Sequence, residues 1–275
     1  MLPRELACNF HTHTTLCDGK NTPEEMAEEA VRLGMWGLGF SGHMDPDIHM
    51  DFPAYAARIR ALREEYRGRL EIFLGTELDV LYDKALCAGA EYIIGSTHFL
   101  DVDSPIPMSV DNTEEMFLQL GREYFGGDFY RLAKRYYELE AKVFDVTGCT
   151  FVGHFDLVTR FNDHLRVIDE EDERYRNAAL TCMEHLVRQG VPFEVNCGAF
   201  NRGRKKELYP SMFLLRKLSE FGGSIFLSSD AHDRALLTGG FEEALARIRA
   251  CGFESVLVLK HGENGVETRE VSVGK

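Results

Sequence analysis

Histidine and acidic side chains gather at the ends of short apolar runs in this 275-residue chain. Six of its ten histidines lie there, together with three carboxylates, and the full set is His11, His13, Asp18, His43, Glu77, His98, His154, Asp230 and His232. Imidazole and carboxylate groups without cysteine are typical ligands of Zn²⁺, Mn²⁺ or Fe²⁺ rather than of Ca²⁺. Because one such ion takes about four to six ligands, more than one divalent metal is expected.

The first two histidines show why these positions suit a metal. His11 and His13 end a predicted strand, and side chains two residues apart on a strand point to the same side of the sheet. Both imidazoles can therefore reach one cation.

Apolar strand-like runs alternate with amphipathic helix-like runs, which is typical of βα units and a parallel sheet. The predicted strands cover 6–12, 36–42, 70–77, 91–97, 150–154, 191–197 and 224–229, with a weaker one at 255–260. The predicted helices cover 23–34, 53–67, 114–145, 172–189, 210–222 and 241–251. At the start of the first helix, Thr22 offers a capping hydroxyl, Pro23 suits the first position and Glu25 can complete a capping box.

About seven or eight such units, without a linker or a shift in composition, predict a single α/β domain over residues 1–275. A closed barrel fits this number of units better than an open sheet, although periodicity alone does not separate the two. In a barrel the carboxyl ends of the strands meet on one face, so the metal site is expected on that face.

Composition limits the classes of partner. The chain has 31 Lys+Arg against 45 Asp+Glu, a formal net charge of −14, whereas a nucleic-acid partner requires a basic surface. No run approaches the roughly 18 apolar residues of a membrane span, and the amino terminus has no secretion pattern. We therefore expect no nucleic-acid or membrane partner and a cytoplasmic location. The seven scattered cysteines, without a CxxC pair, are expected to be reduced.

The other four histidines and the two thiols near the proposed site are assigned no functional role. His49, His164, His185 and His261 lack ligand-like spacing and are expected to be solvated. Cys17 and Cys197 are interpreted as structural thiols. No GxSxG, Walker or GxGxxG string is present, so neither a serine elbow, a P-loop nor a dinucleotide site is predicted.

These motifs resemble a known family. The strings His11-Thr12-His13, Ser41-Gly42-His43, Gly153-His154 and Ser229-Asp230-Ala231-His232, with Asp18, Glu77 and His98, resemble the polymerase-and-histidinol-phosphatase (PHP) superfamily over nearly the whole chain. Further strings are similar to the monofunctional histidinol-phosphate phosphatases: Gly95-Ser96-Thr97-His98-Phe99-Leu100, the insertion 99–150, Gly153-His154-Phe155-Asp156-Leu157, and the run from Asn196-Cys197-Gly198-Ala199 to Tyr209-Pro210-Ser211. One departure is Cys197, where that family usually has Thr.

The resemblance implies a distorted (β/α)7 TIM-like barrel with three divalent metals (Zn, Mn or Fe) at the carboxyl-terminal face of the strands. It assigns His11, His13, Glu77 and Asp230 to the first metal. The second metal would share Glu77 and take His98 and His154, and the third would take Asp18, His43 and His232.

The implied activity is hydrolysis of L-histidinol phosphate, a small phosphorylated amine, to L-histidinol and phosphate in histidine biosynthesis. Clustered divalent metals would activate a water as hydroxide and neutralise the phosphoryl oxygens. Three arginines that follow strand ends, Arg160, Arg202 and Arg204, are candidate phosphate ligands. Asp230, His232 or a metal-bound water are candidates for the general acid. The 99–130 segment could form a wall or lid around the substrate through Asp101, Asp103, Tyr124, Phe125 and Tyr130.

Two other functions are considered. A phosphoesterase of this superfamily that acts on nucleotides or oligonucleotide ends would need a basic groove, and the run Arg202-Gly203-Arg204-Lys205-Lys206 is the only local basic patch. A non-catalytic metal-binding regulatory module would be expected to lack ligands, and none of the nine is missing.

Overall fold

Seven short parallel strands form the centre of the computed structural model, which describes residues 3–263 and 265–274. The strands, in chain order, are β1 (Cys8–Asn9), β2 (Gly37–Phe40), β3 (His43–Met44), β4 (Glu71–Asp79), β5 (Tyr92–Ser96), β6 (Phe99–Leu100), β7 (Met108–Ser109), β8 (Phe151–Val152), β9 (Phe193–Asn196), β10 (Ile225–Ser228), β11 (Ser255–Gly262) and β12 (Gly265–Ser272). The helices are α1 (Pro23–Arg32), α2 (Phe52–Glu65), α3 (Glu114–Phe125), α4 (Phe129–Glu140), α5 (Val143–Thr147), α6 (Asn162–Leu165), α7 (Glu173–Arg188), α8 (Gly198–Asn201), α9 (Met212–Glu220) and α10 (Phe241–Ala250).

The seven strands close into a ring. Their order is β1-β2-β4-β5-β8-β9-β10, all parallel, and a bridge between Thr12 and Ala231 joins the two ends. There His13 N donates to Ala231 O at 2.9 Å and Ala231 N donates to His11 O at 3.2 Å. The expected distorted (β/α)7 barrel is thus confirmed. The bridge also holds the residues around His11 beside those around Asp230.

Beyond β10 the sheet continues into two further strands. β11 pairs with β10 in parallel and with β12 in an antiparallel hairpin that runs from Ser255 opposite Ser272 to Gly262 opposite Gly265. The weaker predicted strand at 255–260 is therefore real. β12 was not predicted, because four polar residues follow one another at its centre, 267–270, and the strand is largely exposed.

Aromatic side chains fill the barrel below its carboxyl-terminal face. Phe151 stacks on Phe226 at 4.4 Å between ring centroids, and Phe10 meets both Phe226 and Tyr92 at 6.4 Å. The Tyr92 hydroxyl donates to Phe10 O at 2.7 Å. Gly75 makes room for that ring, because a Cβ there would lie 2.2 Å from Tyr92 Cζ. Since side chains alternate along β4, the position two residues further, Glu77, faces the same interior one layer higher.

The helices agree with the predicted spans except in one segment. The capping box of Thr22 and Glu25 is present at the start of α1. The single helix predicted over 114–145 is wrong, because Gly126 and Gly127 adopt positive φ angles of 64° and 81° and separate α3 from α4. None of the helices formed by the described residues is both long enough and apolar enough to cross a membrane.

Candidate metal centre

The nine predicted ligands come together at the carboxyl-terminal end of the barrel. Each lies in or just after a strand: His11, His13 and Asp18 follow β1, His43 lies in β3, Glu77 in β4, His98 follows β5, His154 follows β8, and Asp230 and His232 follow β10. All are buried except the exposed Asp18 and the half-buried His232. The closed ring therefore brings residues that are up to 221 positions apart in the sequence onto one face.

Glu77 lies at the centre of the group, and imidazoles face both of its oxygens. Oε1 is 2.7 Å from His154 Nε2 and 3.2 Å from His98 Nε2. Oε2 is 3.1 Å from His11 Nε2 and 3.3 Å from His43 Nδ1. One carboxylate thus stands where it can be shared between neighbouring cations.

The outer part of the group surrounds His13 and His232, whose rings stack at 4.1 Å. Asp18 Oδ2 lies 3.0 Å from His232 Nε2, and Asp18 Oδ1 lies 3.4 Å from His13 Nδ1. Asp230 Oδ1 is 3.5 Å from His13 Nε2 and 3.3 Å from His232 Nδ1. These carboxylates connect the exposed rim of the centre to its interior.

The ligand atoms form four overlapping groups, in each of which all lie within 4.8 Å of one another. The groups are His13, Asp18, His43 and His232; His11, His13 and Asp230; His11, Glu77 and His154; and His43, Glu77 and His98. The grouping implied by the resemblance stays a prediction. It places His13 only with His11, Glu77 and Asp230, and His13 Nε2 lies 3.4 Å from Glu77 Oε2 and 3.5 Å from Asp230 Oδ1. In the structure His13 lies between two groups.

The protonation of the centre fits divalent cations. Burial alone would raise the pKa of Glu77, but His11, His43 and His98 hold it well below its usual range. Burial and the neighbouring His232 and His43 lower the pKa of His13 to about 3, so this ring is neutral and free to act as a ligand. Four buried ring nitrogens lack a hydrogen-bond partner among the described residues: His13 Nε2, His43 Nδ1, His98 Nδ1 and His154 Nδ1. Buried nitrogens of this kind require a partner, and a cation would provide one.

A second layer of acidic groups orients the imidazoles. Glu194 in β9 is fully buried, and its Oε1 lies 2.6 Å from His11 Nδ1, while its Oε2 accepts from His154 N at 2.8 Å. Asp45 Oδ2 lies 3.2 Å from His43 Nδ1, and Asp79 Oδ2 accepts from His98 N at 2.7 Å. Carboxylates in this position fix the tautomer of a ligating histidine. Sequence reasoning did not propose Glu194 as a site residue, although an acidic residue within a buried strand is an available signal.

A cavity of about 740 Å³ opens above the ligands. It is lined by seven of the nine predicted ligands and by all three predicted phosphate-binding arginines, Arg160, Arg202 and Arg204. The remaining lining residues are Lys20, Asp45, Asp47, Ile48, Phe99, Ser109, Asp111, Asn112, Leu157, Tyr209 and Leu236. His11 and His13 lie beneath this cavity floor.

The three arginines have different surroundings. Arg202 Nη1 donates to Asp230 O at 2.9 Å and Nη2 to Asp230 Oδ2 at 3.2 Å. Arg160 Nη1 donates to Asp111 Oδ2 at 3.0 Å. No carboxylate within the described part of the chain pairs with Arg204, and burial together with Arg160 and Arg202 lowers its pKa. Arg204 therefore differs from the other two arginines, each of which is paired with a carboxylate.

The basic run 202–206 does not form a continuous exposed strip. Arg202 turns toward Asp230, and Lys205 is buried with its Nζ donating to Thr159 Oγ1 at 2.9 Å. The feature that most favoured a nucleic-acid groove is thus divided between the metal centre and the protein interior.

The side chains suggested as a substrate wall lie elsewhere. Asp101 pairs with Arg135 on the surface, Phe125 is buried in the core, and Tyr130 lies under Arg174 at 3.7 Å. Neither these nor Asp103 or Tyr124 lines the cavity. The segment instead contributes Phe99, Ser109, Asp111 and Asn112, because the β6–β7 hairpin directs its two ends, and not its tip, toward the metal ligands.

The four histidines assigned no role, His49, His164, His185 and His261, are exposed as expected. His164 pairs with Glu114 at 2.9 Å, and His261 stacks on Phe73 at 4.4 Å below the barrel. Cys17 Sγ lies 3.7 Å from His13 Nδ1, and Cys197 is buried in the core.

Comparisons with known proteins agree with this architecture. Residues 9–198 match the PHP domain family. A probable histidinol-phosphatase from Deinococcus radiodurans is 31% identical over 271 residues, which cover 90% of this chain and 95% of that protein.

Two solved structures share the fold. The HisK structure from Listeria monocytogenes has a TM-score of 0.75 at 18% identity and covers 86% of this chain and 99% of its own. Histidinol phosphate phosphatase from Lactococcus lactis, solved with Zn, L-histidinol and phosphate, has a TM-score of 0.67 at 20% identity over 91% of this chain and 95% of its own.

Proposed function

This chain belongs to the PHP domain family, and we propose that it is a metal-dependent phosphatase that hydrolyses L-histidinol phosphate to L-histidinol and phosphate. The observation that carries the proposal is the convergence of nine ligand side chains beneath a cavity with three arginines. The similar proteins are named as histidinol-phosphatases, and this supports L-histidinol phosphate as the substrate. A role in histidine biosynthesis follows from that substrate.

The residues present suit Zn²⁺, Mn²⁺ or Fe²⁺, and four overlapping ligand groups offer room for up to three ions. Glu77 would be shared, with His98 and His154 at its Oε1 and His11 and His43 at its Oε2. Bound divalent cations supply Lewis acidity and an activated water for attack on a phosphomonoester.

The arginines hold the phosphate. The Nε atoms of Arg160 and Arg202 are buried without a hydrogen-bond partner among the described residues. Arg204, which forms no ion pair with a carboxylate of the described residues, adds a planar donor array of the kind that binds phosphate oxygens. We assign the phosphate subsite to these three side chains.

Acidic and apolar residues on the same cavity suit the rest of the substrate. Asp47 and Asn112 join the loop after β3 to the loop after β7 through a hydrogen bond of 3.2 Å, and Asp111 lies beside Arg160. Phe99 also lines this space and can pack against a planar ring. We infer that this part of the 99–150 insertion, rather than its helices, receives the ammonium and imidazole groups of the substrate.

The leaving oxygen must gain a proton, and two residues were candidates to supply it. Although burial favours a neutral carboxyl, Arg202 and the nearby imidazoles hold the pKa of Asp230 well below its usual range. Asp230 therefore stays ionised and serves as a ligand. His232 at the half-buried rim and a metal-bound water are left as candidates for the proton donor in this proposal.

The cellular compartment of the enzyme is part of the same proposal. All seven cysteines are free thiols in the structure, which is typical of a reducing compartment. We place the enzyme in the cytoplasm.

The proposal is tested by phosphate release from L-histidinol phosphate with protein loaded with Zn²⁺ or Mn²⁺, beside a chelated sample. Release that requires the metal is the expected result. Metal binding without release from any phosphomonoester would contradict the proposal and favour a regulatory module.

A further inference from the structure

Tyr209 has a buried hydroxyl without a partner. The side chain is 2% exposed, and its oxygen makes no hydrogen bond with any described residue. The residue lines the cavity above the metal ligands. A buried donor of this kind is unfavourable in the free protein, so it is expected where a ligand completes the hydrogen bond.

Other buried tyrosines of this chain do not share this feature. The hydroxyl of Tyr92 donates to Phe10 O at 2.7 Å, and that of Tyr136 donates to Phe155 O at 3.1 Å. The hydroxyls of Tyr137 and Tyr175 bond to each other at 3.0 Å. The unpartnered hydroxyl at 209 is therefore not a general property of tyrosine in this core.

The backbone and ring of Tyr209 are held in place. Asn196 N donates to Tyr209 O at 2.7 Å and Tyr209 N donates to Asn196 O at 3.1 Å, which fixes the residue to the end of β9. The buried Lys205 Nζ lies 5.6 Å from the ring centroid on one side. His154, a predicted metal ligand, lies 6.3 Å away on another. The backbone of Tyr209 is thus tied to the end of β9, and its ring lies between Lys205 and His154.

The neighbours of Tyr209 indicate what chemistry its hydroxyl would meet. Arg160 and Arg202 line the same cavity as Tyr209, and each has a buried Nε without a hydrogen-bond partner among the described residues. Burial raises the pKa of Tyr209 well above its usual range, so the phenol remains a neutral donor at every working pH. Such a set of donors fits an oxyanion with several acceptor oxygens, as a phosphoryl group has.

We propose that Tyr209 is a catalytic residue whose hydroxyl donates a hydrogen bond to a phosphoryl oxygen of the bound substrate. The inference rests on the proposed function and adds a fourth side chain, after the three arginines, to the phosphate subsite. The phenol keeps its proton throughout, so no bond to that proton breaks in the reaction.

The test compares Tyr209→Phe with Tyr137→Phe in the metal-loaded full chain. Removing the unpartnered hydroxyl should lower kcat/KM for L-histidinol phosphate by roughly 10- to 100-fold, as expected for a hydrogen bond to a charged group, with metal content and thermal stability retained. Tyr137→Phe, which removes a hydroxyl bonded to Tyr175 far from the cavity, should lower stability and leave kcat/KM unchanged.

Inorganic phosphate provides a readout that does not depend on turnover. Its affinity for the metal-loaded protein, measured by calorimetry, should fall in Tyr209→Phe and stay unchanged in Tyr137→Phe. Unchanged phosphate affinity, full activity, or loss of activity together with metal would each overturn the assignment. A wild-type protein that binds phosphate through Tyr209 but releases none from any ester would support this inference and reject the proposed function.

Discussion

Glu77 shows at the scale of one residue how the fold creates the centre. A carboxylate buried this deeply would normally be neutral, yet four imidazoles face its two oxygens within 3.3 Å. They hold its pKa low and keep it ionised. A buried charge is tolerated where opposite charges or a metal compensate it, so this position is suited to a shared ligand and to little else.

Glu194 should control metal affinity without contacting the metal. Glu194→Gln retains the size of the side chain but replaces the carboxylate that faces His11 Nδ1 at 2.6 Å. We expect metal affinity to fall by roughly 10- to 100-fold, because second-layer carboxylates hold ligating imidazoles in place. Titration with Zn²⁺ measures this, and Glu71→Gln, at the exposed start of β4, is the matched control. Equal affinity in the two variants would show that His11 needs no such support.

Arg204 is the cleanest test of the phosphate subsite. Arg202 also bonds to Asp230, so its removal would disturb the metal ligands together with the substrate. Arg204→Ala should lower kcat/KM by roughly 10- to 100-fold, mainly through KM, with metal content unchanged. Arg174→Ala, which breaks a surface pair with Asp172, serves as the control and should behave as wild type. Wild-type kinetics in Arg204→Ala would remove that residue from the subsite.

The sequence predicted the nine residues that converge, because each stands at the end of an apolar run and is of a ligating type. It did not predict Glu194 or Tyr209 as site residues, since their roles depend on partners more than 50 positions away or on the lack of a partner. The substrate wall was misplaced for a related reason. The sequence shows the length of the 99–150 insertion, but only the β6–β7 hairpin shows which of its side chains face the cavity.

At the scale of elements, α4 packs one acidic residue against the end of β5. Glu140 is fully buried, accepts a hydrogen bond from Thr97 Oγ1 beside His98, and has one oxygen without a partner. Burial raises its pKa to about 8, so the carboxyl is neutral at pH 7. Helix and strand thus meet through a protonated acid.

This contact should make stability depend on pH. The folded chain binds a proton at Glu140 that the unfolded chain loses near pH 4.5, so this group's contribution to stability falls as the pH rises from about 4.5 to about 8. Glu140→Gln removes the titration and should gain on the order of 2 kcal/mol over wild type between pH 6 and pH 9. Urea unfolding at both pH values measures the difference, with Glu138→Gln on the exposed face of the same helix as the control. A constant difference between wild type and Glu140→Gln would contradict the assigned pKa.

The elements that sequence patterns described well are those whose ends carry strong local signals. α1 begins at the capping box that Thr22 and Glu25 predict. The span 114–145 was read as one helix because its apolar spacing continues across Gly126 and Gly127, and periodicity does not report the positive φ angles adopted there. Closure of the barrel depends on one bridge between Thr12 and Ala231, a contact that no local pattern encodes.

At the scale of the whole molecule, metal and protons should compete for the centre. Although burial opposes charge on these rings, Glu77 and neighbouring carboxylates raise the pKa of His43 to about 9 and that of His98 well above its usual range. Without metal these rings are protonated at pH 7, and a cation must displace the protons. The apparent metal affinity should therefore rise with pH up to about 9.

Thermal unfolding measures this competition. Removal of metal with a chelator should lower Tm, because a ligand that binds only the folded state stabilises it. The decrease should be larger at pH 8 than at pH 6, since bound metal contributes more where protons compete less. A chelator effect of equal size at both pH values would show that the imidazoles do not exchange protons for metal.

The central claim is most directly tested by the ratio of kcat/KM for L-histidinol phosphate to that for a 5′-nucleotide, measured with one metal-loaded preparation and abolished by a chelator. A cavity whose arginines are proposed to bind phosphate, with carboxylates nearby and with no continuous basic strip at 202–206, predicts a large preference for L-histidinol phosphate. Equal or greater efficiency with the nucleotide would contradict the proposed substrate while retaining the metal centre.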